Sequence, residues 1–148
     1  MKRAFEVVRG KDPASIQLPK RATAYSAGYD FFVSETREIP ARGTALLPTG
    51  VKAKMPQGEV LLLFIRSSLG IKRGLSLANG VGVIDADYVN NPDNDGNIAA
   101  KFRNFGTKDY LVKKGDRVCQ GIFLKYYRTH DDDGGESERG GGYGSTGR

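Results

Sequence analysis

The sequence predicts an all-β protein, and three observations support this prediction. Short apolar segments of strand length recur along the chain and are separated by proline and glycine turn signals. No segment keeps the apolar spacing i, i+3, i+4, i+7 that marks an amphipathic helix. The 20 glycines are about twice the average usage, which favours turns over long helices. A sandwich, a jelly roll and a barrel all fit this pattern.

Each predicted strand ends at a proline, a glycine or a polar turn. Residues 16–19 are expected to be extended, because Pro19 excludes a helix there. Residues 59–65 form an almost unbroken apolar run, which predicts a strand buried on both faces. Residues 66–72 have room for one helical turn, which Gly70 and Gly74 limit. The predicted strands are 5–8, 29–33, 38–40, 44–47, 51–54, 59–65, 75–77, 80–84, 97–102, 110–112 and 117–126.

Length, charge and composition limit the class of protein. The 148 residues predict one domain, and the net charge of +6 suits nucleotides, nucleic acids and anionic membranes without choosing among them. A single cysteine and a single histidine exclude an intrachain disulfide and a zinc site. Glu6 interrupts the apolar start before a signal peptide forms, and no run approaches the ~18 apolar residues of a membrane helix. We therefore expect a soluble, cytoplasmic protein with no membrane partner.

Two stretches of the sequence are suited to a phosphorylated ligand. Arg66-Ser67-Ser68 directly follows the buried strand, so a guanidinium and two hydroxyls lie at a strand-to-turn junction. Arginine holds a phosphate through two parallel hydrogen bonds, although a surface turn with hydroxyl caps is the alternative interpretation. Asp30 follows a glycine turn, and its carboxylate is a suitable ligand for Mg²⁺, directly or through water. Its structural alternative is a residue that only ends the turn.

Three further stretches carry polar or aromatic side chains. Residues 80–88 form a small-residue strand that becomes polar at Asp85 and ends at Tyr88. Gly115-Asp116 predicts a hairpin turn, after which Gln120 alternates with apolar residues. The glycine-rich segment 142–147 adds an aromatic ring and two hydroxyls, although composition alone predicts a solvated terminus. Each stretch alone also has a structural interpretation, and only their combination indicates a function.

Taken in order, these stretches resemble the motifs of the trimeric deoxyuridine triphosphatase (dUTPase) family, from about residue 27 to the end of the chain. The resemblance implies a β jelly-roll (dUTPase-like β-clip) domain over residues 1–130 and a flexible C-terminal arm over residues 131–148. It implies a homotrimer in which the arm closes over a neighbour's active site. The implied reaction is Mg²⁺-assisted hydrolysis of dUTP to dUMP and pyrophosphate, by in-line attack of water on the α-phosphorus.

The resemblance also implies a role for each matching residue. Asp85 matches the carboxylate that activates the attacking water, and Asp30 matches the acid that holds Mg²⁺ through water. Tyr88 matches the aromatic that packs on the deoxyribose and leaves no room for a 2′-hydroxyl. The implied base-reading hairpin contains Asn79, Gly82, Val83 and Ile84, with Tyr143 stacking on uracil from the arm. The implied phosphate contacts are Arg66, Ser67, Ser68, Gln120, Arg139, Ser145 and Thr146.

The sequence departs from the family pattern at two places. A loop, residues 90–96, follows Tyr88 where the family usually has Arg-Gly and a short link, so the role of that arginine has no counterpart here. In the arm, Glu138 stands where the family usually has an arginine, and Arg139 is the neighbouring substitute.

Two alternative functions fit parts of the sequence. A dCTP deaminase shares the fold, but such enzymes carry a glutamate where this chain has Lys101. A non-catalytic regulator would bind a protein or a nucleic acid through the basic surface. No recognisable nucleic-acid-binding module is present, so stable nucleic-acid binding is not expected.

Overall fold

The computed structural model describes residues 2–132, and this part of the chain is built mainly from β-strands. One α-helix, α1 (Ser67–Arg73), and two 3₁₀ turns, Pro13–Ser15 and Ala86–Asn90, accompany the strands. The predicted all-β class is confirmed. Across residues 2–132, no helix has the length and apolar character needed to span a membrane. The strands are β1 (Ala4–Val7), β2 (Lys20–Arg21), β3 (Tyr29–Phe32), β4 (Arg37–Ile39), β5 (Thr44–Pro48), β6 (Val51–Lys54), β7 (Glu59–Ile65), β8 (Leu75–Leu77), β9 (Gly82–Asp85), β10 (Ala99–Asn104), β11 (Tyr110–Val112) and β12 (Arg117–Lys125).

The strands of the described chain pair in antiparallel fashion and form sheets of different sizes. The five-stranded sheet has the order β2-β3-β12-β7-β9, and the three-stranded sheet has the order β5-β10-β8. β1 pairs with β6, and β4 pairs with β11. Most neighbours are distant in sequence, so the chain passes repeatedly from one sheet to another, as in a jelly roll.

One hydrophobic cluster draws side chains from both of the larger sheets. The five-stranded sheet contributes Phe31, Leu61 and Cys119, and the three-stranded sheet contributes Leu77 and Phe102. All five are buried. Buried and half-buried residues alternate along most of β7, so only one face of this strand covers the core. The predicted complete burial of both faces of residues 59–65 is therefore wrong for the single chain.

Three local predictions differ from the structure. The helix runs for 7 residues rather than one turn, with Gly70 inside it and Gly74 as the C-cap after Arg73. β8 and β9 pair with β10 and β7 rather than with each other, so the expected base-reading hairpin is instead a turn between two sheets. Gly115 and Asp116 do form a turn, but β11 and β12 also belong to different sheets. Apolar alternation identifies a strand, whereas its partner is decided by long-range contacts.

The loop after the second 3₁₀ turn is fixed by charged side chains. The carboxylate of Asp95 accepts hydrogen bonds from Arg9 backbone N–H at 2.8 Å, Arg9 Nε at 3.0 Å and Lys52 Nζ at 2.9 Å. These contacts, the Arg9 backbone N–H above all, lower the pKa of Asp95 from 3.8 to about 2, although burial opposes them. Asp95 thus connects the loop to β6 and to the segment after β1.

Replacing Asp95 with Asn is expected to destabilise the protein in a pH-dependent way. Because the pKa is lowered on folding, the carboxylate contributes its full stability above about pH 4 and loses it as the pH falls towards 2. Urea unfolding at neutral pH should show a loss of about 1–2 kcal/mol for Asp95→Asn. The difference in the free energy of unfolding between Asp95→Asn and the unmodified protein should narrow between pH 4 and pH 2.

The matched control for this prediction is Glu38→Gln at an exposed residue of β4. It removes one carboxylate from a solvated position and should change the free energy of unfolding by less than about 0.5 kcal/mol. A destabilisation by Asp95→Asn that stays constant from neutral pH down to pH 2 would contradict the assigned ion pairs.

Candidate active site

The pairing register of the five-stranded sheet places three sequence-predicted residues on one face. On β12, Gln120 lies directly opposite Asp30 of β3 and Phe64 of β7. Further along the same face, Val60 of β7 lies opposite Asp85 of β9. Side chains directly opposite each other in an antiparallel pair point to the same side, and residues two apart share it. The register therefore puts Asp30, Gln120 and Asp85 on the face away from the hydrophobic core.

A cavity of about 310 Å³ gathers four of the residues expected to bind phosphate or metal. They are Asp30, Arg66, Ser67 and Gln120. The carboxylate of Asp30 lies 3.6 Å from Arg66 Nε and 3.3 Å from Arg117 Nη1. Both guanidinium groups are partly exposed, so each retains donors for a ligand while Asp30 holds its position. An anion entering this cavity would meet two arginines and the amide of Gln120.

Arg117 is a cavity residue to which the sequence interpretation gave no role. In a regular strand Arg117 and Gln120 would point to opposite faces, because three residues separate them. The register with β3 shifts between Arg117 and Cys119, which indicates a β-bulge. A bulge reorients the side chains before it, and here the Arg117 guanidinium reaches Asp30. The sequence shows a second arginine near Gln120, which could have suggested a role for Arg117. No residue pattern in the sequence predicts the bulge itself.

Gly28 allows the Gln120 amide to lie against the backbone before β3. A Cβ atom built on Gly28 would stand 2.7 Å from Gln120 Oε1 and 3.3 Å from Gln120 Cβ. The glycine is therefore required by close approach, because any larger residue would displace the amide.

Ser68 lies apart from Ser67, in an adjoining cavity of about 450 Å³. This second cavity shares Arg66 and Arg117 with the first and adds Lys72 and Arg73 from α1. The guanidinium of Arg73 is held 5.7 Å from the ring centre of Tyr110. The two cavities together form a strongly cationic surface around Arg66, which suits a ligand with several negative charges.

The residues expected to read the base line a third cavity, of about 590 Å³. Asn79, Gly82, Val83 and Ile84 are all part of its wall. Its other residues are largely apolar, with Lys101 from β10 among them. A flat organic ring fits such a wall better than a phosphate does.

Asp85 and Tyr88 lie in none of these three cavities. Asp85 ends β9, two strands away from β12, and its level on the sheet corresponds to Leu124 rather than to Gln120. With ordinary strand spacing and rise, Asp85 and Gln120 of one chain are about 16 Å apart. Within the described chain, the expected water-activating carboxylate and the phosphate-binding cavity are therefore separate.

Tyr88 is buried in the second 3₁₀ turn and its hydroxyl is held by the loop that follows. Tyr88 Oη accepts a hydrogen bond from Asn94 Nδ2 at 2.8 Å and donates one to the Asn97 carbonyl at 3.3 Å. The sequence interpretation assigned no role to Asn94. The expected arm residues, Arg139, Tyr143, Ser145 and Thr146, lie outside the described residues.

Cys119 takes no part in this surface, although it precedes Gln120. Its thiol faces the core, and burial, with a smaller contribution from the Asp30 charge, raises its pKa to about 12. The thiol is therefore neutral, and neither nucleophilic nor metal-binding chemistry is expected from it.

Comparison with known proteins gives consistent matches over most of the chain. A family model described as dUTPase matches residues 14–147. The chain is 48% identical to the deoxyuridine 5'-triphosphate nucleotidohydrolase of Lactococcus lactis subsp. lactis, across 98% of this chain and 97% of the relative. It is 37% identical to the protein of the same name from Rickettsia conorii, across 88% of both chains.

Solved structures also resemble this chain, at two different levels of sequence identity. The crystal structure of dUTPase from Streptococcus mutans matches with a TM-score of 0.80 and 48% identity, covering 84% of this chain and 97% of that one. A dUTPase from phage phi11 of S. aureus matches with a TM-score of 0.74 at 21% identity, covering 93% and 99%, and shows the fold alone.

These matches extend over nearly the whole chain and define its class as a β jelly-roll protein. More narrowly, the chain belongs to the dUTPase family.

Replacing Gly28 with Ala is expected to weaken polyphosphate binding without unfolding the protein. The new methyl group would push the Gln120 amide out of position, but the amide is the free end of a side chain and can rotate away. Losing one hydrogen bond to a charged group should weaken binding of inorganic pyrophosphate about tenfold. Isothermal titration calorimetry measures this change directly.

Gly70→Ala in α1 is the control for this substitution. A Cβ atom on Gly70 would stand 3.5 Å from Ile65 Cγ2, an ordinary contact, so the variant should bind pyrophosphate normally. Equal affinities for Gly28→Ala and Gly70→Ala would show that the Gln120 amide does not contact the phosphate.

Proposed function

We propose that this chain hydrolyses dUTP to dUMP and pyrophosphate. Family membership supports this assignment, because relatives that match nearly the whole chain are named deoxyuridine 5'-triphosphate nucleotidohydrolases. The structural observation that best supports the proposed reaction is the cavity that Asp30, Arg66 and Gln120 line together. A triphosphate carries enough charge to engage two arginines, and the separate apolar cavity provides a wall for the base.

Binding of the triphosphate is assigned to the cationic cavities. Arg66 and Gln120 contact phosphate oxygens, with Ser67 and Ser68 on the two sides of the arginine. Hydrogen bonds from a charged donor to a phosphate are roughly twice as strong as neutral ones. Asp30 orients Arg66 and Arg117, so their guanidinium groups are in place before the substrate arrives.

Recognition of the nucleoside is assigned to the turn between β8 and β9 and to Tyr88. Asn79 and the backbone from Gly82 to Ile84 form hydrogen bonds with uracil. A site built for the hydrogen-bond pattern of uracil leaves buried polar groups unpaired when cytosine binds. Thymine is excluded because the site has no space for its methyl group. Tyr88 packs on the deoxyribose and leaves no room for a 2′-hydroxyl.

The chemical step is assigned to Asp85. Its carboxylate accepts a proton from a water molecule as the water oxygen attacks the α-phosphorus. The bond from the α-phosphorus to the bridging oxygen breaks on the opposite side, and pyrophosphate leaves. A correctly positioned general base contributes about 10²–10⁴-fold to the rate of such a step. Arg66 stabilises the charge that develops on the phosphate oxygens.

Mg²⁺ is the metal that fits the donors of this site. Residues 2–132 contain no group of three or more histidine, cysteine or acidic residues that could hold a metal by themselves. Mg²⁺ commonly keeps several waters and is held by one or two carboxylates together with substrate phosphates, so Asp30 alone, acting through a bound water, is sufficient as the protein contact. When bound, the ion would neutralise charge on the triphosphate. A mutant dUTPase of phage phi11 has been described with a structural Mg(II) ion.

A homotrimer is proposed because one chain does not bring its own functional groups together. Asp85 and Gln120 of the same chain are about 16 Å apart across the sheet. In a symmetric ring, Asp85 of one subunit meets Arg66 and Gln120 of the next. In the proposed division, residues 1–130 form the jelly-roll domain and residues 131–148 an arm that closes over a neighbouring site. Tyr143 then stacks on uracil, while Arg139, Ser145 and Thr146 contact the phosphates.

The alternative functions gain no support from the structure. A deaminase of this fold needs a glutamate on β10, and Lys101 occupies that position beside the expected base cavity. Arg66, Lys72, Arg73 and Arg117 gather around one cavity of about 450 Å³, and a concave site of this size suits a small polyanion better than a nucleic acid. Neither a deaminase nor a nucleic-acid-binding regulator is therefore proposed.

A panel of nucleoside triphosphates tests the proposed reaction. With Mg²⁺ present, release of pyrophosphate from dUTP should exceed release from dTTP, dCTP and UTP by at least about 100-fold. Asp85→Asn should reduce turnover by about 10²–10⁴-fold while a nonhydrolysable dUTP analogue still binds. Asp87→Asn, at an exposed residue of the 3₁₀ turn that follows Asp85, is the control and should retain turnover. Similar rates on all four triphosphates, or normal turnover by Asp85→Asn, would refute the proposal.

A further inference from the structure

The loop from Asn91 to Asn97 encloses the hydroxyl end of Tyr88. Asn94 Nδ2 donates a hydrogen bond of 2.8 Å to Tyr88 Oη, and the Asn97 carbonyl accepts one of 3.3 Å from it. Tyr88 itself is 7% exposed, so little of its surface is open to a ligand in the single chain. The orientation of the ring depends on where its hydroxyl end is held.

The loop is internally braced around Asn94. Asn94 Oδ1 accepts a hydrogen bond from Gly96 N–H at 3.0 Å, and the Asn94 carbonyl accepts one from Asn97 N–H at 3.0 Å. The chain turns back tightly at Gly96. A Cβ atom there would stand 2.6 Å from the Tyr88 carbonyl oxygen, so a larger residue would not fit. These bonds aim the Asn94 amide at Tyr88 and leave it few other orientations.

The loop is also fastened to the rest of the fold. Asp95 has a φ of 55°, a conformation that is strained for a residue with a side chain. Its ion pairs with Arg9 and Lys52 compensate for this strain and fix the loop to β6. Asn97 Oδ1 accepts a hydrogen bond from Gly50 N–H at 3.1 Å, which adds a second attachment. Such rigid support is characteristic of elements that position a functional group.

We propose that Asn94 is a positioning residue that sets the sugar selectivity of the enzyme through its hydrogen bond to the Tyr88 hydroxyl. This inference rests on the proposed function, in which Tyr88 packs against the deoxyribose. The Asn94 amide fixes the tilt of the ring, and the tilt decides how much space remains at the 2′ position. Without the amide, the longer bond to the Asn97 carbonyl allows the hydroxyl to turn and the ring to move aside for a ribose.

A double-mutant cycle with Asn94→Ala and Tyr88→Phe tests this inference. The measured quantity is the ratio of kcat/KM for dUTP to kcat/KM for UTP, determined on one preparation of each variant. Both substitutions remove the hydrogen bond between Asn94 and Tyr88, and Tyr88→Phe also removes the one to the Asn97 carbonyl. Asn94→Ala should therefore lower the ratio about fivefold, and Tyr88→Phe should lower it at least as much. The double variant should be no less selective than Tyr88→Phe, because Asn94 acts only through the hydroxyl that Tyr88→Phe has already removed.

The selectivity ratio separates positioning from a merely structural role. A variant that is partly unfolded loses activity on both triphosphates equally, so its ratio is unchanged. Asn90→Ala, the same substitution at an exposed residue of the neighbouring 3₁₀ turn, is the control and should keep the original ratio.

Two results would overturn the inference. An unchanged ratio in Asn94→Ala would show that the loop acts on stability alone. A double variant with additive losses would show that Asn94 does not act through the Tyr88 hydroxyl. If the unmodified protein fails to hydrolyse dUTP, the proposed function falls together with this inference. If it hydrolyses dUTP and Asn94→Ala keeps the ratio, the inference alone is refuted.

Discussion

The pairing of β12 with β3 on one side and β7 on the other is the constraint on which the rest of the structure depends. β12 runs through the middle of the five-stranded sheet, and its register sets Gln120 opposite Asp30. Because side chains alternate along a strand, the neighbouring Cys119 faces the hydrophobic core. A slip of one residue would bury Gln120 and expose the core side chains, so the core enforces the register of the site. The hydrogen-bond ladder that stabilises the core thus also sets the arrangement of the proposed site.

The same register explains why the proposed site residues are separated within a single chain. Arg66, Asp30 and Gln120 gather at one level of the sheet, while Asp85 ends β9 two strands away and at another level. The proposed trimer resolves this separation by bringing the Asp85 end of one subunit to the cationic cavities of another. In the proposed trimer, the loop from Asn91 to Asn97 supports Tyr88 within the same subunit that supplies Asp85.

Much of the fold could be predicted from the sequence, because alternating apolar residues mark strands wherever they pair. The resemblance also gave Asp30, Arg66 and Gln120 related roles toward metal and phosphate, and the structure places the three in one cavity. Three features could not be predicted. The bulge that brings Arg117 to Asp30 leaves no compositional mark, the separate pairing of β8 and β9 depends on distant partners, and the Asn94 contact requires the path of a whole loop. The arm residues, including Tyr143, lie outside the described chain and keep the status of predictions.

The composite site is the central claim, and subunit complementation tests it most directly. Arg66→Ala and Asp85→Asn, each nearly inactive alone, would be mixed in equal amounts, unfolded and refolded together so that their chains exchange. If each site takes these two residues from different chains, about a quarter of the sites in randomly mixed trimers contain both, and about a quarter of the unmodified dUTP turnover returns. A mixture that stays as inactive as its two components would show that one chain supplies both residues, and would contradict this account.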